Sequence, residues 1–502
     1  MTKQSITLAA LSALALVTWC AGTAHAQVSI DWAGSPGGIS IAVDSQDNVY
    51  TLSYSYALGA EMVLNKRDST GQQIWVASYD QTDFTKWERA SWVSVDHEDN
   101  IIVTGTLMSG YSNPVEAASI VMKFSPLGVL LWRNVYESSF DGSSTRRCLV
   151  DADNNVYVLG IGSGPPGFVT KVKKFAADGS VVWTYYNAAG IGAPVMFKLT
   201  PDNAIVITGR AIYGSLNGYA KIDLDGNEIW SLAGVQSLTV GDAAGDSLGN
   251  TYVVHGEYVP GGGGTVVKKL DPTGALVWQN TFPLTAYRVQ VGPDDLPIAC
   301  GFPNSGSGGA AFIKVDTAGG LVWSNLDADG PLGLLLHAQL EVDGIGNAYL
   351  AAGTLFEMAI CKVRSDGSSG WTALVSGGGY AAACALSRLD NSVYVVGNIA
   401  ARLVQPPDAG QQFRRGDANV DASFNIADAI FMLNFLFGGP VSPLSCDDAN
   451  DANDDGALNI ADAIAILNAL FGGGGGLPAP YASCGVDLTQ DTLDCLSFAP
   501  CP

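Results

Sequence analysis

The chain of 502 residues carries 25 Lys and Arg against 48 Asp and Glu, with 47% hydrophobic residues, 60 Gly and 9 Cys. This length allows a large buried core, and a net charge of −23 argues against nucleic acid or an anionic membrane as partner. Beyond the N-terminal segment, no stretch reaches the roughly 18 uninterrupted apolar residues of a membrane span.

Residues 1–26 combine Lys3, an apolar run over 6–17 and Ala24-His25-Ala26 before Gln27, the layout of a secretory signal with its cleavage site. Trp19 before Cys20 does not suit a lipidated cysteine, whose preceding residue is small. The mature chain is expected to start near Gln27, to be secreted or displayed at the cell surface, and to keep eight cysteines in an oxidising compartment.

Internal repetition dominates the next 380 residues. Lys, four residues, Gly, three residues, Trp occurs seven times, ending at Trp75, Trp132, Trp183, Trp230, Trp278, Trp323 and Trp371, at a mean spacing of about 49 residues. The Gly of each copy suits the positive-φ corner of a tight hairpin turn. A second motif precedes each copy, as in Asp44 to Asn48 and Tyr50, Asp151 to Asn155 and Tyr157, or Asp343 to Asn347 and Tyr349; it recurs eight times, the last around Asp390 and Tyr394. Both motifs sit between alternating apolar and polar flanks, so each repeat supplies two hairpins and therefore four strands, the make-up of a propeller blade.

The eighth repeat has a first hairpin at 382–396 and a third strand at 402–404 but no Lys/Gly/Trp motif, whereas Trp32 occurs near the start without a first hairpin. The N-terminal strand is thus expected to complete the eighth blade and remove the open edges. Residues 27–405 are read as an all-β, eight-bladed propeller, followed by a linker at 406–415. A residue that recurs once per blade is structural: Trp packing between blades, Asp bracing its turn, and Lys satisfying nearby carbonyls or acids.

These repeats resemble the tryptophan-docking repeats of the quinoprotein (PQQ-like) propellers and related bacterial propellers, which implies the architecture rather than an activity. Quinoprotein dehydrogenases stack their cofactor beside a vicinal disulfide, and this chain has no adjacent cysteine pair. Propellers generally bind at the mouth of the central channel. There the first strand of blade seven would align His337, Gln339 and Glu341 on one face, with Arg146, Arg147, Lys198, Arg288 and Arg388 in comparable stretches of other blades. His337, Glu341 and Arg288 are the candidates for acid–base chemistry or for recognition of an acidic sugar; polar lining of a solvated channel is the alternative. Cys148, Cys300, Cys361 and Cys384 fall in blade strands and are expected to be buried thiols.

From Gly416 onward the composition changes to 12 Asp with no Glu, Lys, Arg or His in 87 residues. Residues 417–439 recur at 451–473 with 16 of 23 positions identical. Asp417, Asn419, Asp421, Ser423, Asn425 and Asp428 pair with Asp451, Asn453, Asp455, Ala457, Asn459 and Asp462. Oxygen-bearing groups at loop positions 1, 3, 5, 7, 9 and 12 match an EF-hand calcium cage, and hard oxygen donors without His or Cys favour calcium over zinc. Two Ca2+ sites are expected, the first weakened by Ala422 in place of the position-6 Gly. Each loop runs into an amphipathic helix, the first with an apolar face of Ile426, Ala429, Ile430, Leu433, Leu436 and Phe437.

Two such loop–helix units at 416–475, with Asp at position 12 and no helix entering either loop, resemble a type I dockerin. That resemblance implies attachment to a cohesin-like partner, and polysaccharide breakdown as the setting. Ile426-Ala427 and Ile460-Ala461 stand where many dockerins present hydroxyl pairs, so a conventional cohesin is not expected. Phe431 and Phe435, matched by Ala465 and Ala469 in the second unit, form either a partner-binding ridge or an internal packing surface. Cys446, Cys484, Cys495 and Cys501 near and within the tail at 476–502 are expected to form two disulfides, with three connectivities open. The chain reads as a secreted, non-catalytic binding component for a polysaccharide or protein. A glycoside hydrolase or lyase delivered by its dockerin is the first alternative, and a structural cell-surface protein the second.

Overall fold

The computed structural model describes residues 28–502 except 56–60, 80–86, 109–116, 140–143, 165–166, 188–190, 212–215, 237–240, 260–261, 304–308, 329–338, 354–356, 378, 380, 390–391, 406–411, 439–445, 473–475, 486–492, 494, 496–497, 499 and 502. The N-terminal signal, His337, Asp390 and most of the linker lie outside the described residues.

Eight antiparallel four-stranded sheets form an eight-bladed β-propeller. The inner strands are Ser40–Val43, Trp87–Val95, Ser144–Val150, Ile191–Thr200, Asp242–Gly245, Leu284–Val291, Gln339–Val342 and Ala383–Leu386. In the eighth blade the outer strand is the N-terminal Ser29–Gly34, paired antiparallel with Ala400–Val404, so the two ends of the domain share one sheet. The middle strands are buried almost end to end, as in Ile101–Met108, because both faces of each sheet pack against neighbouring blades.

One inter-blade latch shows how the recurring residues act together. Trp132 of blade two donates through Nε1 to the Ala177 carbonyl of blade three at 3.0 Å, and Lys123 Nζ donates to the same oxygen at 3.4 Å. Gly179 faces the indole at φ 87°, where a Cβ would sit 2.6 Å from Trp132 Cδ2, so the turn requires glycine for backbone and space alike. Trp32, Trp75, Trp183, Trp278 and Trp323 repeat the bond to Ser69, Pro126, Leu224, Thr317 and Ser365, while Trp371 donates to the Gln405 side chain.

The Asp turn is braced from within. Asp44 Oδ1 accepts the main-chain N–H groups of Gln46 and Asn48 at 3.0 and 2.8 Å, and Oδ2 accepts Tyr50 OH at 2.9 Å. The turn occurs in all eight blades, but its Asp does not: Thr200, Gly292 and Ser387 hold the equivalent corner in blades four, six and eight. Where Ile102, Val206 or Ile298 replaces the Tyr, the blade Lys pairs directly with an acid, as Lys123–Asp96, Lys221–Asp202 and Lys314–Asp294, each at 2.7 Å. A buried ammonium that loses its phenol neighbour needs a carboxylate, and two blades supply it two residues beyond the usual position.

The C-terminal module consists of helices α1 (Ile426–Leu436), α2 (Asp447–Asn450) and α3 (Ile460–Phe471). The single turn of α2 enters the second loop, contrary to the expectation that neither loop has an entering helix; the first loop has none. Two disulfides, Cys446–Cys495 and Cys484–Cys501, settle the open connectivity. They enclose a cluster of Phe413, Ala449 and Phe498, while Cys148, Cys300, Cys361 and Cys384 are buried thiols in the blades.

The helix faces differ from the expectation. Ala429 and Met432 of α1 and Ala463 and Ile466 of α3 are buried, whereas Ile426, Ile430 and Phe437 are 51%, 52% and 73% exposed. Their counterparts 34 residues on, Ile460, Ile464 and Phe471, are 52%, 49% and 70% exposed. Small residues bring the two helices close together, and the bulkier aliphatics are left on the outside. Phe431 packs with Ala418, Ala452 and Ile466 in the core between the units, and Phe435 is half-buried.

Candidate functional site

Two regions collect polar chemistry: the innermost ring of the propeller and the paired loops of the C-terminal module. At one equivalent position of every inner strand, three residues before the turn corner, the side chain is buried: Ile41, Val93, Cys148, Phe197, Ala243, Val289, Leu340 and Cys384. Strand alternation turns the residues on either side of it toward the next inner strand and the axis. β-Bulges directly before Trp92, Arg147 and Arg288 adjust the aim of these side chains.

The flanking positions bring Arg147, Lys198, Asp242, Arg288 and Glu341 of blades three to seven into one electrostatic cluster. The Arg147 guanidinium lies over the Trp92 ring at 4.1 Å from its centroid. Lys198 Nζ pairs with Asp242 Oδ2 at 2.7 Å and donates to the Val289 carbonyl at 2.5 Å, while Asp242 Oδ2 accepts the Val289 N–H at 3.0 Å. Gln339 Nε2 donates to Glu341 Oε1 at 2.6 Å and to the Cys384 carbonyl at 3.2 Å.

Burial and the neighbouring Arg288 bring Arg147 down to about 10, against the pull of Asp242 and Glu341. Burial lowers Lys198 despite Asp242, and burial raises Glu341 despite the Gln339 bond and the charges of Lys198 and Arg147. Arg147 and Glu341 stand four blades apart and still influence each other electrostatically, so charges on opposite walls of the ring bear on one another at this level. Beside it, a cavity of about 310 Å³ is lined by Lys198, Leu199, Thr200, Pro201, Ala244, Gly245, Gln290 and Val291.

Of the residues expected here, Arg147, Lys198, Arg288, Gln339 and Glu341 come together. Arg146 is an exposed bulge residue. Arg388 lies beyond its inner strand in the blade-eight turn, where its N–H donates to Asp47 Oδ1 at 2.9 Å. The sequence reading missed Asp242 and Trp92. Both stand four residues before a turn Asp, Asp246 and Asp96, as Arg147 does before Asp151, so that spacing carried the signal.

In the paired loops, Asp417 and Asp428 are fully buried, as is Asp462, and Asp451 is nearly so. Asp417 Oδ1 accepts the Asp421 N–H at 3.1 Å; Asp417 Oδ2 is buried with no hydrogen-bond partner among the described residues. Asp428 accepts the N–H groups of Asn419 and Asn425 at 3.3 and 2.8 Å, and Asp462 those of Asn453 and Asn459 at 3.4 and 2.8 Å. Asn425 and Asn459 cap α1 and α3 through capping boxes with these same aspartates. With at most one N–H on each of these oxygens, further lone pairs stay open on every carboxylate.

Burial raises the Asp417 carboxyl and pushes Asp428 and Asp462 up to about 6, with nearby carboxylates adding to the rise. Among the described residues no group of three or more His, Cys, Asp or Glu converges on an ion position. A cage here therefore depends on the Asn, Ser and main-chain oxygens as well. At position 6, Ala422 stands at φ 68° where Gly456 has 76°, and position 4 is left-handed too, Val420 at 58° and Asp454 at 61°. A β-branched residue and an alanine in that region make the first loop the more strained, by about 1–2 kcal/mol per residue.

No protein-family model matches the chain, and no curated protein matches it either. Among solved structures, it is similar to a computationally designed protein, Ika8, at 12% identity and a TM-score of 0.51, covering 76% of this chain and 100% of the other. It is likewise similar to Sqt1 from Chaetomium thermophilum, at 11% identity and a TM-score of 0.51, covering 75% and 99%. The Dos1 propeller aligns over 74% of this chain and 93% of its own, at 9% identity and a TM-score of 0.48. At these identities the likeness concerns the propeller fold alone.

Proposed function

We propose that this chain is an exported, calcium-stabilised, non-catalytic component. It binds a polysaccharide or protein at the mouth of its propeller and attaches to an extracellular assembly through a dockerin-like C-terminal module. The observation that carries the calcium reading is the buried Asp417 carboxylate with one unbonded oxygen, set in a loop whose sequence and local geometry recur at Asp451. A buried carboxylate without a counter-charge is costly, and calcium supplies that charge to oxygen donors. Asp417, Asn419, Asp421, Ser423 and Asp428 would hold one ion, and Asp451, Asn453, Asp455 and Asp462 the other. The Ala457 carbonyl, and Asn425 and Asn459 directly or through water, would complete the sets.

Attachment is supported by the outward Ile426, Ile430 and Phe437 and their duplicates Ile460, Ile464 and Phe471, an apolar surface repeated by the internal duplication. It takes the place of the Phe431 and Phe435 ridge as the candidate partner face. Export is supported by the signal-like N-terminus and the two disulfides. Among the described residues no helix is long and apolar enough to cross a membrane.

The non-catalytic reading rests on the innermost ring, where each of Lys198, Asp242 and Glu341 is engaged by a neighbour. Calcium should raise the melting temperature of the C-terminal transition and chelation should abolish its helical circular dichroism; no change on chelation removes the calcium assignment. The purified chain should release no reducing ends from neutral or acidic polysaccharides. Release that disappears in Glu341→Ala would make it an enzyme instead.

A further inference from the structure

Arg415 precedes the first loop by two residues, yet its guanidinium is spent on the second loop and the tail. It is fully buried, with Nη2 paired to Asp454 Oδ1 at 2.9 Å. Nη1 donates to the Asp451 carbonyl at 2.6 Å and the Asp448 carbonyl at 3.2 Å, and Nε to the Ala479 carbonyl at 3.2 Å. The adjoining Gly416 N–H donates to the Ala449 carbonyl at 2.8 Å, and Asp417 follows as the first oxygen donor of loop one. Asp454, held by Arg415, is the left-handed residue at position 4 of loop two; Val420, its counterpart in loop one, is packed instead against the disulfide cluster. The residue of the second copy that matches Arg415 is Ala449, so the duplication does not repeat this tie.

We infer that Arg415 is a positioning residue that fixes the backbone of the second loop and couples it to the first, so that an ion bound at either loop strengthens binding at the other. The inference rests on the calcium reading above. Its physical basis is a three-residue tie: Asp417 becomes ordered when loop one is filled, Arg415 is two residues away along the backbone, and the guanidinium pins Asp451 and Asp454. Ordering one end removes part of the ordering cost at the other, and the coupling is reciprocal. The carbonyl bonds place Asp451 whether or not an ion is present. The Asp454 pair joins a fully buried planar donor fork to a carboxylate that is 17% exposed, a geometry that a lysine would not reproduce.

The test is a calorimetric calcium titration of the full chain in four forms: unaltered, Asp421→Asn to weaken loop one, Asp454→Asn to break the ion pair, and the double variant. The expected result is two bound calcium ions, with Asp421→Asn weakening the remaining site by about tenfold. In the Asp454→Asn background the same change should shift that site less than twofold. A merely structural role for Arg415 would lower stability without altering this difference. Absence of calcium binding to the unaltered chain overturns the calcium reading itself. Two sites that ignore Asp421→Asn, or that respond to it equally with and without the Asp454 carboxylate, overturn the coupling while leaving calcium in place. Arg415→Met adds a stronger form of the same lesion where it folds; Asp454→Asn keeps the carbonyl bonds and carries the test where it does not.

Discussion

The propeller and the C-terminal module both arise by repetition, yet they treat buried carboxylates in opposite ways. In blade two, Asp96 meets Lys123 at 2.7 Å and also accepts the Asn100 N–H at 2.8 Å, so its charge is compensated inside the blade. In the C-terminal module, Asp417, Asp428 and Asp462 are equally buried, but from Gly416 onward the sequence has no Lys, Arg or His. The cations nearest to hand, Arg414 and Arg415, precede the duplication. The lesson is that repetition alone does not confer self-sufficiency: blade two carries its own counter-charge, whereas neither loop unit has a cation in its own sequence.

This contrast is most severely strained by removing one carboxylate from each region. Asp462→Ala should abolish the calcium response of the second loop and weaken that of the first, while in chelator its effect should be confined to the lost α3 capping box, about 1 kcal/mol. Asp96→Ala should cost about 3–5 kcal/mol with or without calcium, because Lys123 is left buried and unpaired. The two melting transitions, followed separately by far-ultraviolet circular dichroism and Trp fluorescence, would report each lesion; a calcium-dependent Asp96 effect would erase the distinction.

Next in size is the latch. Trp132→Ala should destabilise the propeller by roughly 3 kcal/mol through lost packing and the lost bond to the Ala177 carbonyl, which keeps only its longer bond from Lys123, and calcium should not restore it. In the module, Phe431→Ala should cost about 2 kcal/mol as a core truncation. Ile430→Ser with Ile464→Ser, on the exposed face, should leave calcium-dependent melting unchanged and release any protein partner captured by the module. Loss of stability from the serine pair together with intact capture would return the partner face to Phe431 and Phe435.

Much of this was legible in the sequence because it recurs. Seven Lys/Gly/Trp copies specify blades, and the unmatched Trp32 specifies how the ring closes. Spacing could not reveal substitutions of role. Thr200 and Gly292 stand where an Asp was expected, and Asp202 and Asp294, two residues on, reach the blade Lys Nζ at the same 2.7 Å as Asp96 does, a substitution that only the folded turn displays. The helix face was misjudged for a related reason. Periodicity identifies a stripe of Ile430 and Phe437 as apolar, but the close approach of Ala418, Ala429 and Ala452 decides which stripe is inside. In the ring, Arg147, Lys198 and Glu341 could be named individually, whereas their electrostatic influence on one another depends on the diameter of an eight-blade ring.

The smallest expected effect concerns that ring and can sharpen the claim that the propeller balances its own charges. Glu341 is the member whose carboxyl is raised above its ordinary 4.5, by burial that outweighs Gln339, Lys198 and Arg147. A carboxyl with a folded value above its unfolded one holds its proton more tightly in the native state. Its contribution to stability is therefore fully present below 4.5 and is lost as pH rises through the raised folded value. Glu341→Gln keeps the Gln339 neighbour and removes the titration, so its stability should decline less than that of the unaltered chain between pH 4 and 7. Matched denaturant melts of the Trp transition across this range measure it. Equal slopes would mean that the surrounding cations neutralise Glu341 completely, making the ring as self-balanced as the Lys123–Asp96 pair; a steeper slope in the variant would invert the sign of the burial argument.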